Sequence, residues 1–208
     1  MEEQLSKKER KDLRHQEKRE GQIHERRMRK TKKLVIWAIS LGVIAVAGWF
    51  GIQALTPEPL GEDYSRVIPQ EGGTHVQEGT RVLYQSNPPT SGNHWATPLR
   101  DGIYDVEKPD EAVIHSLEHG RVWITYKPDI GQEAIAALKD AVKGQSGTIM
   151  SPRVANETDI ALAVWTRLDT FNLREDGTLD AKRVREFIQR YRNKGPEYVP
   201  QNTGKTYE

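Results

Sequence analysis

The most apolar stretch of the chain is Leu34–Leu55, a run of 22 residues without a charged side chain. A helix of this length would be about 33 Å long, close to the hydrocarbon thickness of a bilayer, which is about 30 Å. Trp37 and Trp49 lie toward the two ends of the run, where amphipathic rings favour the membrane interface. The pattern therefore predicts one transmembrane helix over residues 34–55.

The segments before and after this apolar run differ in net charge. Residues 1–33 hold 13 Lys or Arg and 7 Asp or Glu, a net charge of +6, so the overall charge of +1 leaves −5 for the rest of the chain. Segments rich in Lys and Arg stay on the cytoplasmic side of a span. We therefore expect a basic cytoplasmic tail over residues 1–33 and a single-pass protein of the cell membrane whose C-terminal domain lies outside the cytoplasm.

A cleaved signal peptide is the alternative interpretation of the same run. Ala45-Val46-Ala47 resembles a cleavage site that follows a short apolar stretch. However, the apolar run continues beyond this point, and the preceding segment of 33 residues is long for a signal peptide. These two features favour an uncleaved anchor.

The remainder of the chain is long enough for one globular domain. Residues 56–63 are predicted to be a stiff linker, because Pro57 and Pro59 lie within them. We assign residues 64–200 to the domain and residues 201–208 to a flexible C-terminus. The chain has no Cys, which excludes a disulfide scaffold, a Cys-ligated metal and thiol catalysis.

Partners other than the membrane are harder to infer from the sequence. The basic residues of the tail are interleaved with acids and lack aromatic neighbours, so we expect no nucleic-acid partner. No feature of the sequence identifies a protein partner.

Hydrophobic periodicity in the domain predicts helices and strands in no repeating order. A loop is expected over Gln85–Asp105, because Asn87-Pro88-Pro89-Thr90-Ser91-Gly92 opposes regular structure. The predicted helices are Asp110–His119, Gly131–Lys143 and a last one capped by Asp180, and the predicted strands are Arg81–Tyr84, Arg121–Tyr126, Gly147–Met150 and Ile160–Leu168. This mixture predicts an α+β domain with a small mixed sheet and about three helices.

Four of the six His residues lie between positions 75 and 119. His115 and His119 are four residues apart, which places both imidazoles on one face of a helix. His75 and His94 each follow a loop rich in Gly, and the loop before His94 also contains two Pro residues that can fix its direction. The two remaining residues, His15 and His24, are expected to be solvent-exposed spectators in the tail.

The clustering leads to the hypothesis of one metal site formed by His75, His94, His115 and His119. Neutral imidazole is the commonest protein ligand of transition metals, and copper or zinc would suit such a site. Met150 could add a soft thioether ligand that favours copper, although a core-filling role is the alternative. Glu118 could be an auxiliary carboxylate or a salt-bridge partner.

Two other interpretations stay open. The four His could have separate hydrogen-bonding roles, which would make the domain a structural or interaction protein of the cell envelope. The segment His115–His119 also fits the pattern H-x-x-E-H of zinc peptidases, in which Glu118 would act as a general base. That predicted helix has only about two turns, so a zinc-dependent hydrolase is the less favoured reading, and we expect a binding module.

Several motifs occur together in an order that is specific to one family. They are Thr74-His75-Val76, Tyr84-Gln85-Ser86-Asn87-Pro88-Pro89-Thr90-Ser91-Gly92-Asn93-His94, Gly102-Ile103-Tyr104, Val113-Ile114-His115-Ser116-Leu117-Glu118-His119-Gly120-Arg121-Val122 and Tyr126-Lys127-Pro128. With them the chain resembles, over roughly residues 64–195, the bacterial membrane-anchored family catalogued as domain of unknown function 3105. The resemblance implies a short N-terminal tail, one membrane span and an exported domain. It implies no activity, so the metal hypothesis depends on the residues alone.

Overall fold

The structure is a computed structural model that describes residues 7–55, 59–200, 202 and 204–207. The side chains of residues 7–17, 23–24, 54 and 55 are not described, so the expectation for His15 and His24 lies outside the described residues. The same holds for positions 1–6 of the predicted tail and for 56–58 of the predicted linker. The chain divides into two compact units, Met1–Pro59 and Leu60–Glu208.

The first unit contains helix α1, Lys7–Leu55, a single helix of 49 residues that joins the charged tail to the apolar run. Its stretch Lys18–Gln53 has a mean hydropathy of 2.2 in its most apolar window, in which no residue is buried. By length and composition the helix can cross a membrane, a property that a signal sequence near the N-terminus would share. The apolar helix expected over residues 34–55 is therefore confirmed as part of a longer helix.

The second unit is an α+β domain, as expected. Its helices are α2 (Asp110–Glu118), α3 (Gln132–Val142) and α4 (Ala181–Tyr191). Its strands are β1 (Arg66–Val67), β2 (His75–Val76), β3 (His94–Trp95), β4 (Gly102–Ile103), β5 (Val122–Tyr126), β6 (Thr148–Pro152), β7 (Ile160–Val164) and β8 (Arg167–Phe171).

Six strands form one mixed sheet in the order β1-β8-β7-β5-β6-β4. The pairs β1–β8, β8–β7 and β7–β5 are antiparallel, whereas β5–β6 and β6–β4 are parallel. The strands β2 and β3 form a separate parallel pair. The predicted small mixed sheet is thus confirmed. The second small sheet was not predicted, because its strand β3 lies within residues 85–105, which were expected to form a loop.

Helices cover both faces of the large sheet. Successive side chains of β5 and β6 point to opposite faces, so the core has two hydrophobic clusters. Val122, Ile124 and Met150 pack with the apolar faces of α3 and α4 on one side. Trp123 and Ile149 pack with α2 on the other side. The apolar face of α3 is buried and consists of Ala134, Ile135, Leu138, Ala141 and Val142.

The strand predicted over Arg81–Tyr84 is absent, because its backbone finds side-chain partners in place of a neighbouring strand. The N–H of Val82 donates to the Glu111 carboxylate at 3.0 Å. Leu83 is 98% exposed, so this apolar side chain does not contribute to the core.

The long strand predicted over Ile160–Leu168 is instead a hairpin of β7 and β8. Val164 pairs with Arg167 across a two-residue turn, and Thr166 adopts a φ of 59° there. Hairpin turns of this length usually carry Gly, Asn or Asp, and Trp165-Thr166 contains none of them. Residue type therefore does not predict a turn at this point.

The helices α2 and α4 begin where the sequence predicted. Asp180 caps α4 as expected, since its carboxylate accepts from the Arg183 N–H at 3.1 Å. Asp110 is the first residue of α2 and follows the N-cap Pro109, and its carboxylate accepts hydrogen bonds from the Arg153 guanidinium at 2.9 and 3.1 Å.

The described part of residues 201–208 contacts the domain, although the sequence leads us to treat this segment as flexible. Lys205 forms an isolated parallel bridge with Leu99. The ring of Tyr207 lies 5.4 Å from that of Trp95, measured between centroids. These contacts cover part of the β3 strand.

The segment that follows α4 runs across the C-terminal end of α2. The N–H of Asn193 donates to the Gly120 carbonyl at 2.7 Å, and the N–H of Glu197 donates to the Glu118 carbonyl at 3.0 Å. Gly195 makes the closest approach, because a Cβ atom there would lie 2.1 Å from the Glu118 oxygen and 2.4 Å from the Gly120 nitrogen. Only a residue without a side chain fits at this position.

We expect Gly195→Ala to destabilise the domain by roughly 3 kcal/mol, because backbone atoms cannot yield to the new methyl group without a shift of the chain. Urea unfolding followed by tryptophan fluorescence would measure the loss. The matched control is Gly131→Ala, where φ is −53° and a Cβ atom meets open space. Equal stability of the two variants would contradict the close approach.

Candidate metal centre

Helix α2 places two of the predicted site residues. Every residue from Glu111 to Glu118 is buried, so the polar side chains of the helix lie inside the domain. Gly120, at a φ of +83°, ends the helix in the left-handed region that glycine tolerates. His115 and Glu118 therefore project from the last turn of a buried helix that ends at Gly120.

The paired strands β2 and β3 place the other two His. His75 lies opposite His94 in their parallel register, and the N–H of His94 donates to the Thr74 carbonyl at 3.1 Å. His94 is fully buried, whereas His75 is exposed. The strand pairing thus places the buried ligand candidate His94 next to the exposed candidate His75.

Hydrogen bonds hold the loop before His94, which contains Pro88, Pro89 and Gly92. The Asn93 side chain accepts from the Thr74 N–H at 3.2 Å, and the Tyr84 hydroxyl donates to the Asn93 carbonyl at 2.7 Å. Gly92 adopts a φ of +129°, and a Cβ atom there would lie 2.7 Å from the Tyr84 ring. The glycine therefore permits the turn that directs His94 inward.

The three imidazoles of His75, His94 and His115 form a nearly equilateral triangle. Their ring centroids are 4.7, 4.9 and 4.9 Å apart. The Glu118 carboxylate lies beside them, and one donor atom from each of the four residues falls within 4.8 Å of all the others. The structure thus brings together four side chains that are up to 43 positions apart in the sequence.

Backbone carbonyls fix the orientation of the two buried rings. His94 Nδ1 lies 2.8 Å from the Gly92 oxygen, and His115 Nδ1 lies 2.7 Å from the Trp95 oxygen. Since a carbonyl only accepts, both Nδ1 atoms carry the proton and both Nε2 atoms present a lone pair in the neutral rings. This is the arrangement by which proteins orient an imidazole that ligates a metal.

His94 Nε2 is the least satisfied atom of the cluster. It lies 3.1 Å from a Glu118 carboxylate oxygen, yet the contact lacks hydrogen-bond geometry, and within the described residues this buried atom has no hydrogen-bond partner. In the neutral ring two acceptors face each other there. The pair therefore needs a positive charge, carried either by a proton or by a metal ion.

Burial shifts the titration of three groups at the site. Burial lowers the pKa of His115 to about 4, and it also lowers the pKa of His119. Burial raises the pKa of Glu118, and the neighbouring His94 opposes that shift. His115 is therefore neutral at pH 7 and available as a ligand.

His119 lies outside the group of four donors. Its Nε2 atom is 3.1 Å from His115 Nε2 and 3.9 Å from the Glu197 carboxylate. The helical spacing of four residues does bring the two imidazoles together, with ring centroids 4.5 Å apart. However, the two rings contact each other edge to face, and Glu118 takes the fourth place in the group.

Met150 is not near the cluster. It is fully buried in the core on the side of the sheet that faces α3 and α4, whereas its neighbour Ile149 faces α2. Alternation along β6 decides this, because consecutive side chains of a strand point to opposite faces. Met150 therefore packs in the core on the other face of the sheet, as the alternative interpretation of this residue expects.

The geometry also separates the residues of the H-x-x-E-H pattern. A peptidase would use His115 and His119 as ligands and keep Glu118 free as a base. Here Glu118 belongs to the group of donors and His119 does not. Three large cavities of about 380, 500 and 620 Å³ are lined by other residues and include none of these three.

Sequence reasoning missed Glu197 and the two carbonyls of Gly92 and Trp95. Glu197 follows the last helix with no motif around it, so only the packing of the segment against α2 reveals its position. A partner of this kind could have been expected from residue type alone, because a ligating His commonly donates its other ring N–H to a backbone carbonyl or a carboxylate.

Fold and site together define an α+β domain that carries a His-rich donor cluster and follows a long apolar helix. The family model described as "Protein of unknown function (DUF3105)" matches residues 75–204, more than half of the chain. The chain therefore belongs to this family, and the resemblance inferred from its motifs is confirmed. The comparisons with curated proteins and with solved structures give no match.

The pKa of His115 predicts a specific pH dependence of the metal-free protein. Because this pKa falls from about 6.5 in the unfolded chain to about 4 in the domain, the unfolded state binds the proton more readily. The contribution of His115 to stability is complete above pH 6.5 and is lost as the pH falls to 4, by on the order of 3 kcal/mol.

Urea unfolding in EDTA between pH 7 and pH 4 would measure this loss. The reference is His115→Asn, which keeps an N–H donor for the Trp95 carbonyl but does not titrate. Glu118, with its raised pKa, acts in the opposite sense in both proteins, so the difference between the two profiles isolates His115. Identical profiles would contradict the lowered pKa.

Proposed function

We propose that the domain binds one transition-metal ion, zinc or copper, through His75, His94, His115 and Glu118. The observation that carries this proposal is the buried Nε2 atom of His94, which faces the Glu118 carboxylate and has no hydrogen-bond partner in the described part of the chain. An ion between the two donors supplies positive charge and a partner for both atoms. Leaving a buried polar atom unpaired costs about 1–3 kcal/mol, so occupancy stabilises the domain.

The size of the cluster is compatible with one ion after a small closing movement. Zinc–nitrogen bonds are about 2.0–2.1 Å long, so two tetrahedral ligands lie about 3.4 Å apart and no two ligands exceed about 4.2 Å. The four donor atoms here lie within 4.8 Å of one another. Exposed His75 is the ligand that can close this gap, because the other three donors are held by the core.

The donor set favours a divalent ion. Imidazole nitrogen and carboxylate oxygen suit Zn²⁺ and Cu²⁺, whereas Cu⁺ is selected by thiolate and thioether sulfur. The chain has no Cys, and Met150 lies on the other face of the sheet. We therefore rank Zn²⁺ and Cu²⁺ before Cu⁺.

A binding role suits this donor set better than catalysis. Four protein ligands complete a tetrahedral shell, whereas catalytic zinc sites keep one position for water or substrate. This favours metal storage, sensing or transfer over hydrolysis.

Helix α1 is proposed to anchor the domain to the cell membrane in a single pass. The support is its apolar stretch together with the net charge of +6 over residues 1–33. By the positive-inside rule the tail is cytoplasmic and the metal-binding domain lies outside. Metal bound there would be handled at the outer surface of the membrane.

Calorimetric titration of the protein with Zn²⁺ and with Cu²⁺ tests the metal site. We expect binding near 1:1 and a loss of affinity of roughly 100-fold or more for His94→Ala and for Glu118→Gln. At a free concentration of 100 times Kd the ion should stabilise the domain by about 2.7 kcal/mol, an effect that EDTA removes.

Two variants serve as controls for this titration. Glu175→Gln removes an exposed carboxylate far along the chain from the cluster, and Met150→Leu removes the thioether from the core. Both should bind as the unaltered protein does. If neither ion binds more tightly than in buffer controls at pH 7.5, the four His would instead hold the loops of a structural or interaction protein.

The absence of Cys makes the proposed orientation directly testable, because one introduced thiol can be labelled alone. A membrane-impermeant maleimide should label Glu175→Cys on intact cells, whereas Ser6→Cys should react only after the membrane is permeabilised. The reverse pattern would overturn the orientation. Release of the Glu175→Cys protein from the membrane fraction would instead indicate a cleaved signal sequence.

A further inference from the structure

A row of donor atoms leads from the buried cluster toward solvent through two side chains that the proposed site does not use as ligands. His115 Nε2 lies 3.1 Å from His119 Nε2, which lies 3.9 Å from the Glu197 carboxylate. Exposure rises along this row, because His115 is buried while the His119 and Glu197 side chains are 13% and 64% exposed.

Backbone hydrogen bonds hold both outer residues in position. The N–H of His119 donates to the His115 carbonyl at 3.2 Å, and the Arg121 guanidinium donates to the His119 carbonyl at 3.1 Å. The N–H of Glu197 donates to the Glu118 carbonyl at 3.0 Å. The row of donors is therefore built into the end of α2 and the segment that packs on it.

We propose that His119 and Glu197 form an exchange path through which the metal ion enters and leaves the inner site. The inference rests on the proposed metal function. An ion held by four ligands leaves by breaking its bonds one after another. A donor next to His115 captures the ion before the last inner bonds break, and the carboxylate beyond it draws the cation outward.

Such a path affects rates and leaves affinity unchanged. His119 and Glu197 bind the ion only during passage, so they lower the barrier in both directions without changing the free energy of the bound or the free state. A ligand of the inner site behaves differently, because its loss weakens binding at equilibrium. This difference distinguishes a His119 that acts only during passage from a His119 that is a ligand of the inner site.

The test uses the full chain in detergent, without a polyhistidine tag and with His15 and His24 replaced by Ala. Zn²⁺ uptake and its transfer to the chromophoric chelator 4-(2-pyridylazo)resorcinol are followed by stopped flow, and Kd is measured by titration. For His119→Ala we expect both rates to fall about tenfold, equivalent to about 1.4 kcal/mol of barrier, with Kd unchanged within about threefold.

Glu197→Gln is the second variant, because an exposed side chain can be changed without risk to folding, and both of its rates should fall as well. Glu175→Gln is the matched control and should leave all values unchanged. Unaltered rates in both variants would overturn the path and would indicate that the ion enters and leaves beside exposed His75. The path would also be overturned if His119→Ala lost as much affinity as His94→Ala, because His119 would then be a ligand of the inner site.

The experiment separates this inference from the function on which it rests. If the unaltered protein binds no Zn²⁺ in the titration, the metal site itself fails and the path fails with it. If the protein binds Zn²⁺ tightly but the two variants exchange it at normal rates, only the path is wrong.

Discussion

Burial of helix α2 is the constraint on which the rest of the domain depends. The helix is short and packs against β3 and against β5 and β7 of the large sheet, although it carries Glu, Ser and His. Each polar side chain then needs a partner inside the domain. Glu111 binds the backbone of Val82, and Ser116 donates to the Leu99 carbonyl at 2.8 Å. The loops before α2 are therefore placed by the polar groups of a buried helix.

The candidate metal centre lies where this pairing is incomplete. His115 is satisfied on one side by the Trp95 carbonyl, and His94 by the Gly92 carbonyl. Their remaining nitrogens converge with His75 on the Glu118 carboxylate, and they are acceptors like the carboxylate itself. His115 Nε2 has His119 Nε2 within hydrogen-bond distance, whereas His94 Nε2 faces the carboxylate as a second acceptor and has no hydrogen-bond partner among the described residues. Two buried acceptors that face each other are unfavourable. A cation resolves this conflict, and the fixed ring orientations mean that little reorganisation is needed to bind it.

The elements that sequence reasoning identified correctly are those with a local physical signal. The amphipathic spacing of α3, the Asp180 cap of α4 and the β-rich pattern of β5 depend on near neighbours along the chain. The hairpin at Trp165-Thr166 was missed because its turn lacks the residues that usually permit one. The strand predicted over Arg81–Tyr84 is absent for a different reason, since a short run of apolar residues does not show whether a neighbouring strand exists.

The sequence by itself determined that four His cluster within 45 positions, that an apolar helix precedes them and that the motifs belong to a family. The tertiary structure alone decided which donors meet. Strand alternation moved Met150 to the far face of the sheet, and the end of α2 turned Glu118 inward while leaving His119 beside Glu197. These outcomes depend on packing between segments distant in sequence, and neither residue type nor spacing carries that information.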